Sequence, residues 1–181
     1  LNPGLLSANR SYLVACLYDP GLTLDSLYDT LSRITARMSA GLHKLDGKFP
    51  QHVRDPKRKL RIGYVSSDFY RHPVGRNVLP ILEKHDREKF EVYLYADLKI
   101  RDDMTERFEN VASAWRSIAG MTDQAVAEMI RQDRVDILVL LAGRFDRNRP
   151  LIAACRAAPV QVSFHDPVTS TLKEMDYLIS D

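Results

Sequence analysis

Leu60 to Gly75 reads LRIGYVSSDFYRHPVG, and its two halves obey different rules. Leu60 to Ser66 is a short apolar run of the kind that a strand buried on both faces requires. Ser66, Ser67, Asp68, Arg71 and His72 then crowd into one turn, after which an amphipathic helical segment runs from about Gly75 to His85. The same alternation recurs downstream. Phe90 to Ala96, Val135 to Leu141 and Val160 to Phe164 have strand character, while Met104 to Ala112, Thr122 to Arg134 and Arg149 to Ala157 have helical character. Trp115 to Ile118, apolar at alternate positions, predicts a short extra strand, and Met175 to Ser180 predicts another. Strands separated by helical crossovers cannot be hairpin neighbours. The expected fold is therefore α/β, a Rossmann-like parallel sheet with helices on both faces.

Working outward, the residues before Leu60 carry no strand pattern. Leu5 to Tyr18 has apolar residues at helical intervals and is stopped by Asp19-Pro20-Gly21. Thr23 is placed to cap a second helix, in which Leu24, Leu27, Tyr28, Leu31, Ile34 and Met38 form a stripe. The two helices are expected to pair as an antiparallel hairpin. From Asp46 to Lys59 the pattern dissolves around Pro50 and Pro56. The expected organisation is a helical connector over 1–46, a linker over 47–59 and the α/β unit over 60–181.

With 45% apolar and 28% charged residues in 181, the chain has material for one main core and a small appendage. The apolar run Val135 to Ala142, interrupted by Asp136, is far shorter than the roughly 18 residues of a membrane span. Leu1 to Arg10 lacks the basic head and apolar stretch of a secretory signal, so the sequence is expected to begin inside a longer protein. Cys16 and Cys155 do not make a disulfide framework, which favours a reducing, cytoplasmic setting. A net charge of +2 does not suggest a nucleic-acid binder. The basic run Arg54 to Arg61 reads as a solvated linker. No Cys/His spacing suits a metal, and no glycine-rich phosphate loop is present, so neither metal nor cofactor is expected.

In parallel sheets ligands bind in the loops that follow the carboxyl ends of strands. The turn after Val65 is the richest of these. Its amides can face an anion, and an imidazole in such a place can donate, accept or act as a base.

The combination RIGYVSSDFYRHPVG, HDREKFEVYLYAD, MTERF, IRQDRVDILVLLAG, RAAPVQVSF and MDYLISD, in that order from about Leu60 to Asp181, resembles the protein O-GlcNAc transferases and their bacterial and SPINDLY-type relatives. The leading helices, with Tyr18-Asp19-Pro20 at the break, resemble that family's connector between tetratricopeptide repeats and the catalytic region. The resemblance implies that this α/β unit is the N-terminal half of a two-lobed (GT-B) glycosyltransferase. It further implies transfer of N-acetylglucosamine from UDP to Ser or Thr hydroxyls of a protein or peptide acceptor, with the nucleotide held by a second lobe. His72 matches the family's site histidine, beside sugar and acceptor. Pro73 and Gly75 would shape its turn, and Asp68 would fix the loop by accepting backbone hydrogen bonds. Arg144, Pro167 and Thr169 occupy the positions of substrate-contacting loops.

Two departures accompany the match. Where the bacterial relatives show Asp-Leu-(small)-Gly-His-Thr, this sequence has Leu140-Leu141-Ala142-Gly143-Arg144-Phe145, and a guanidinium cannot serve as a base. Where the family has a Leu-Gly-Tyr-Pro-Gly-Thr-like loop, this sequence has Phe164-His165-Asp166-Pro167-Val168-Thr169, without the glycines that permit close approach. His165 and Asp166 are read as a polar turn. A degenerate, non-catalytic relative acting as a protein-interaction module is the alternative these departures allow. A lobe whose cleft face lacks its partner should self-associate. Light scattering across concentration should therefore show mass rising above 20.7 kDa; a constant monomer mass would contradict this.

Overall fold

In each central strand, successive residues enter different hydrophobic cores. Val65, Tyr95, Leu138 and Leu140 pack on one side, and Ile62, Tyr64, Val92, Leu94, Val139 and Leu141 on the other. That is period-two geometry with both faces covered. The computed structural model describes residues 6–46, 48–49, 55–143, 147–166 and 171–179. Its strands are β1 (Leu60–Ser66), β2 (Phe90–Ala96), β3 (Ala114–Ser117), β4 (Ile137–Leu141), β5 (Val160–Phe164) and β6 (Tyr177–Ile179). They form one sheet in the order β3-β2-β1-β4-β5-β6, and every pairing is parallel. The expected α/β, Rossmann-like class is what the chain adopts.

The helices are α1 (Leu6–Ala15), α2 (Leu24–Ser39), α3 (Pro73–Glu83), α4 (Asp103–Val111) and α5 (Asp123–Gln132). Each of the last four has a side-chain cap for its otherwise unpaired amides. Thr23 Oγ1 accepts from Ser26 N, and Thr122 Oγ1 from Ala125 N, each at 3.2 Å. Asp102 and Thr105 form a reciprocal capping box on α4. Leu31, Ile34 and Met38 of α2 are buried in the same core as Val126, Ala127 and Ile130 of α5. The other face is closed by Val78, Leu79 and Leu82 of α3 with Phe108 of α4.

Several expectations shift on inspection. The helix expected from Gly75 begins at Pro73, whose fixed φ and absent N–H suit a first helical position. That makes His72 its N-cap. The helix expected over Arg149 to Ala157 is a 3₁₀ segment, Pro150–Cys155, ended by Arg156 at φ 55°. Here the Gln161 side chain accepts from Ala157 N at 2.9 Å and donates to Ala153 O at 2.9 Å, so these backbone groups are satisfied without continuing a helix. Likewise Leu6–Ala15 is α-helical but Cys16–Tyr18 is 3₁₀.

The basic run before β1 is not simply solvated. Arg54 lies outside the described residues, but Arg58 makes two hydrogen bonds, 2.7 and 2.6 Å, to the buried carboxylate of Asp136. Asp136 also accepts from Arg61 N at 2.9 Å. A buried carboxylate at the amino edge of β4 requires such partners, and removing one member of a buried pair costs about 3–5 kcal/mol. Both cysteines are free and buried. Burial raises the Cys155 thiol to about 11, which disfavours the reactive thiolate. Among the described residues no helix is long and apolar enough to cross a membrane.

At the far end of α3, Tyr64 Oη lies 2.7 Å from His85 Nε2. Burial pushes the phenol up to about 12, and burial, then the Arg87 charge, lowers the imidazole. The unfolded chain therefore binds a proton at His85 more readily than the folded one. The resulting stability is present above the ordinary histidine range and is lost as pH falls through the lowered value. The thermal midpoint should drop between about pH 7 and 5, and His85→Gln should flatten that drop; an identical slope in the variant would assign it to other groups.

Candidate active site at the sheet's switch point

β1 and β4 lie side by side, but β1 is succeeded by β2 on one flank and β4 by β5 on the other. The loops leaving their carboxyl ends therefore diverge, which opens a crevice of the kind that binds ligands in doubly wound sheets. The loop after β1 runs from Ser67 to His72, and Asn148 comes from the segment after β4 to meet it. Asn148 Oδ1 accepts from Ser66 Oγ at 3.1 Å and from Ser67 N at 3.0 Å. Its Nδ2 donates to Asp68 Oδ2 at 2.7 Å. Ser67 Oγ donates to Asp68 Oδ1 at 2.9 Å, and Asp68 N donates to Ser66 Oγ at 3.0 Å. All four residues are buried. The Asp68 carboxylate thus takes side-chain donors rather than the backbone amides expected from sequence. The reason is that Asn148, unseen in the local pattern, reaches it across the crevice.

His72 sits at the rim, its side chain 24% exposed, with Nδ1 3.8 Å from Asp68 Oδ2. Nδ1 also accepts from Val74 N at 3.3 Å. A nitrogen that accepts carries a lone pair, so the neutral ring at rest has its proton on Nε2, an assignment made from hydrogen-bond geometry. The loop's outer side is tied down by Arg71. Its N–H donates to Asp102 at 2.8 Å, and its guanidinium grips Asp103. That hydrogen-bonded guanidinium holds Asp103 down at about 2.

Pro73 is the first residue of α3. Gly75 is buried in the first turn of α3, and a Cβ there would overlap the carbonyl oxygens of Tyr70 and Asp68. On the β4 side, Ala142 and Gly143 both have positive φ, 57° and 50°. A Cβ on Gly143 would overlap the Asp166 carboxylate, which also accepts from Ser163 Oγ at 3.1 Å. His165 stacks on Phe164 with centroids 4.3 Å apart. The expected polar turn is seen, and within it Asp166 lies against the neighbouring loop while His165 covers a ring. Arg144, Pro167 and Thr169 lie outside the described residues.

Beside the crevice, Asp97 N donates to Ser66 O at 3.1 Å. The Asp97 carboxylate receives Arg147 at 2.8 Å, with Arg149 at 3.9 Å. Arg149 also donates to Asp123 and to the carbonyls of Ile118 and Met121. These groups line a pocket of about 580 Å³, floored by Met38, Leu42, Met121 and Leu151. Sequence reasoning missed Asn148, Arg147 and Asp97; Asp97 directly follows β2, but Arg147 and Asn148 come well after the end of β4 and carry no local signal. Among the described residues no group of three or more His, Cys, Asp or Glu could hold a metal ion.

A parallel α/β sheet with a buried polar cluster at its switch point is the architecture in which doubly wound proteins hold their ligands. The family model described as glycosyl transferase family 41 matches residues 32–181, and the chain belongs to that family. The probable UDP-N-acetylglucosamine–peptide N-acetylglucosaminyltransferase SPINDLY of Arabidopsis thaliana is 37% identical over 135 residues, covering 72% of this chain and 15% of that protein. The protein of the same description from Solanum lycopersicum is 34% identical over 191 residues, covering all of this chain and 20% of its own length. A solved structure of a mutant Thermobaculum terrenum O-GlcNAc transferase superposes with a TM-score of 0.86 at 32% identity, covering 99% of this chain and 34% of that one. The chain therefore spans between 15% and 34% of the length of these relatives.

Gly75→Ala tests the loop packing. Helix propensity alone would favour alanine by about 1 kcal/mol, but the carbonyl overlap should win, with a net loss of about 1–3 kcal/mol. Urea unfolding and amide exchange over Ser66 to His72 would show it; an equally stable, equally protected variant would mean that the loop yields freely.

Proposed function

We propose that this chain supplies the acceptor-facing α/β half of an enzyme that transfers N-acetylglucosamine from UDP-N-acetylglucosamine to Ser or Thr hydroxyls of proteins. The observation that carries this reading is the placement of His72 at the β1–β4 switch point of a chain that aligns, nearly whole, with an O-GlcNAc transferase. Relatives described as peptide N-acetylglucosaminyltransferases support the reaction class. In this reading the nucleotide sits in a second lobe and the crevice receives the sugar and the acceptor. His72 handles the acceptor proton, and Pro73 with Gly75 holds it at the rim. Arg144, Pro167 and Thr169 contact substrate. Catalysis then rests on orientation and on electrostatic help to the leaving diphosphate, without a metal or cofactor. A cytoplasmic protein with tetratricopeptide repeats ahead of α1 is the setting that fits.

One observation favours the alternative, a non-catalytic interaction module. The Asp166 carboxylate lies directly against Gly143, placing a charged side chain where the family resemblance calls for small residues. Calorimetric titration of UDP and UDP-N-acetylglucosamine into this chain, beside a protein extended to its natural carboxyl terminus, separates the two. Binding by the extended protein alone supports the transferase, and binding by neither supports the module. In the extended protein His72→Ala should lower transfer by roughly 10²–10⁴-fold, the usual worth of a positioned acid or base; undiminished transfer by a folded variant would remove that role.

A further inference from the structure

Asp68 is a buried carboxylate, 1% exposed, whose two hydrogen-bond donors, the Ser67 hydroxyl and the Asn148 amide, are both neutral. Elsewhere in this fold buried carboxylates meet guanidinium groups directly, as Asp136 meets Arg58 and Asp97 meets Arg147. A clasp between two loops does not need a charge, since an asparagine at position 68 could accept from Asn148 and donate to Ser67. A buried negative charge matters to a neighbour that changes its own charge. The imidazole of His72, with Nδ1 at 3.8 Å, is placed to be that neighbour.

Nδ1 of His72 has two partners of opposite kind. Val74 N–H at 3.3 Å asks it to accept, whereas Asp68 Oδ2 asks it to donate. We propose that Asp68, held by Asn148, is a positioning residue for His72: the ring rests as the Nε2–H tautomer capping α3, and becomes a proton acceptor at Nε2 only once Nδ1 has taken a proton from water and turned it to Asp68 while Nε2 has released its own to water. This rests on the reading of the chain as a transferase lobe. In the reaction the acceptor O–H bond breaks as its oxygen bonds to the sugar carbon. The bond from that carbon to the diphosphate breaks, and UDP leaves with the electron pair. Nε2 takes the proton, and the imidazolium keeps its Nδ1–H on Asp68. A third group orienting the base of a nucleophile–base pair is a recurring arrangement.

Among the described residues, the other charges around this loop are engaged elsewhere or unchanged by the test. Asp102 and Asp103 at the start of α4 hold Arg71, and Arg147 after β4 holds Asp97. Tyr70 lies 5.6 Å from the His72 ring, and Arg76 lies one turn along α3.

The test compares Asp68→Asn, which retains the clasp and removes the charge, with Asn148→Ala. First, ¹⁵N-histidine spectra of this chain, assigned with His72→Gln, report the tautomer directly. The neutral wild-type ring should be Nε2–H. On acidification a slowly exchanging Nδ1–H should appear, and both variants should lose it while amide spectra show an intact fold. A neutral ring already protonated at Nδ1, or an Nδ1–H unchanged in folded Asp68→Asn, would overturn the proposal. Second, in the extended protein Asp68→Asn should lower kcat at least about tenfold with acceptor KM unchanged. A loss in KM alone would leave Asp68 a loop clasp only. Should the wild-type protein transfer no sugar, the functional reading fails, while the tautomer measurement still decides the relation between Asp68 and His72.

Discussion

The pairing of β1 with β4, Ile62 against Ile137 through Val65 against Leu140, is the constraint from which the rest follows. These strands are joined through about seventy intervening residues, which build the whole β2–β3 flank before the chain returns to the centre. Because the winding then reverses towards β5 and β6, the two central loops part at the carboxyl edge of the sheet. Any residue that spans the gap does so with its side chain. Asn148 bridges it, bonded to three consecutive residues of the opposite loop.

Polar side chains pin this ladder at both of its ends, in two different ways. At the amino end the buried Asp136 is neutralised by a two-pronged Arg58 and a backbone N–H, an arrangement that serves to hold strands together. At the carboxyl end Asp68 is surrounded by neutral donors, with a histidine just beyond hydrogen-bonding distance. A fold gains nothing by leaving a buried charge short of a cation. The two ends thus differ in the kind of partner that each buried carboxylate meets. On the β4 and β5 side the Asp166 carboxylate lies against Gly143.

Much of the architecture was legible in the residues alone. The four long strands announced themselves as apolar runs of five to seven residues, and the cap at Thr23 stood where a helix needs it. The short β3 and β6 were visible through alternation, though each was displaced by one or two residues. The error over Arg149 to Ala157 has a definite cause. Its composition suits a helix, but Gln161, from the next strand, takes the backbone bonds that a helix would have used. His72 was found through an ordered set of motifs rather than from its own neighbourhood. Its role as the N-cap of α3 needed the observed start of that helix at Pro73.

The sequence by itself determined the class of fold and the order of its elements, and it singled out the polar turn after β1 as the candidate site. All of these depend on periodicity and turn residues acting over a few positions. Tertiary structure alone decided which distant groups meet. Asn148 reaches Asp68 across 80 residues and Arg58 reaches Asp136 across 78. A side chain satisfied that far along the chain leaves no local trace, because its partner is chosen by sheet order and burial rather than by spacing.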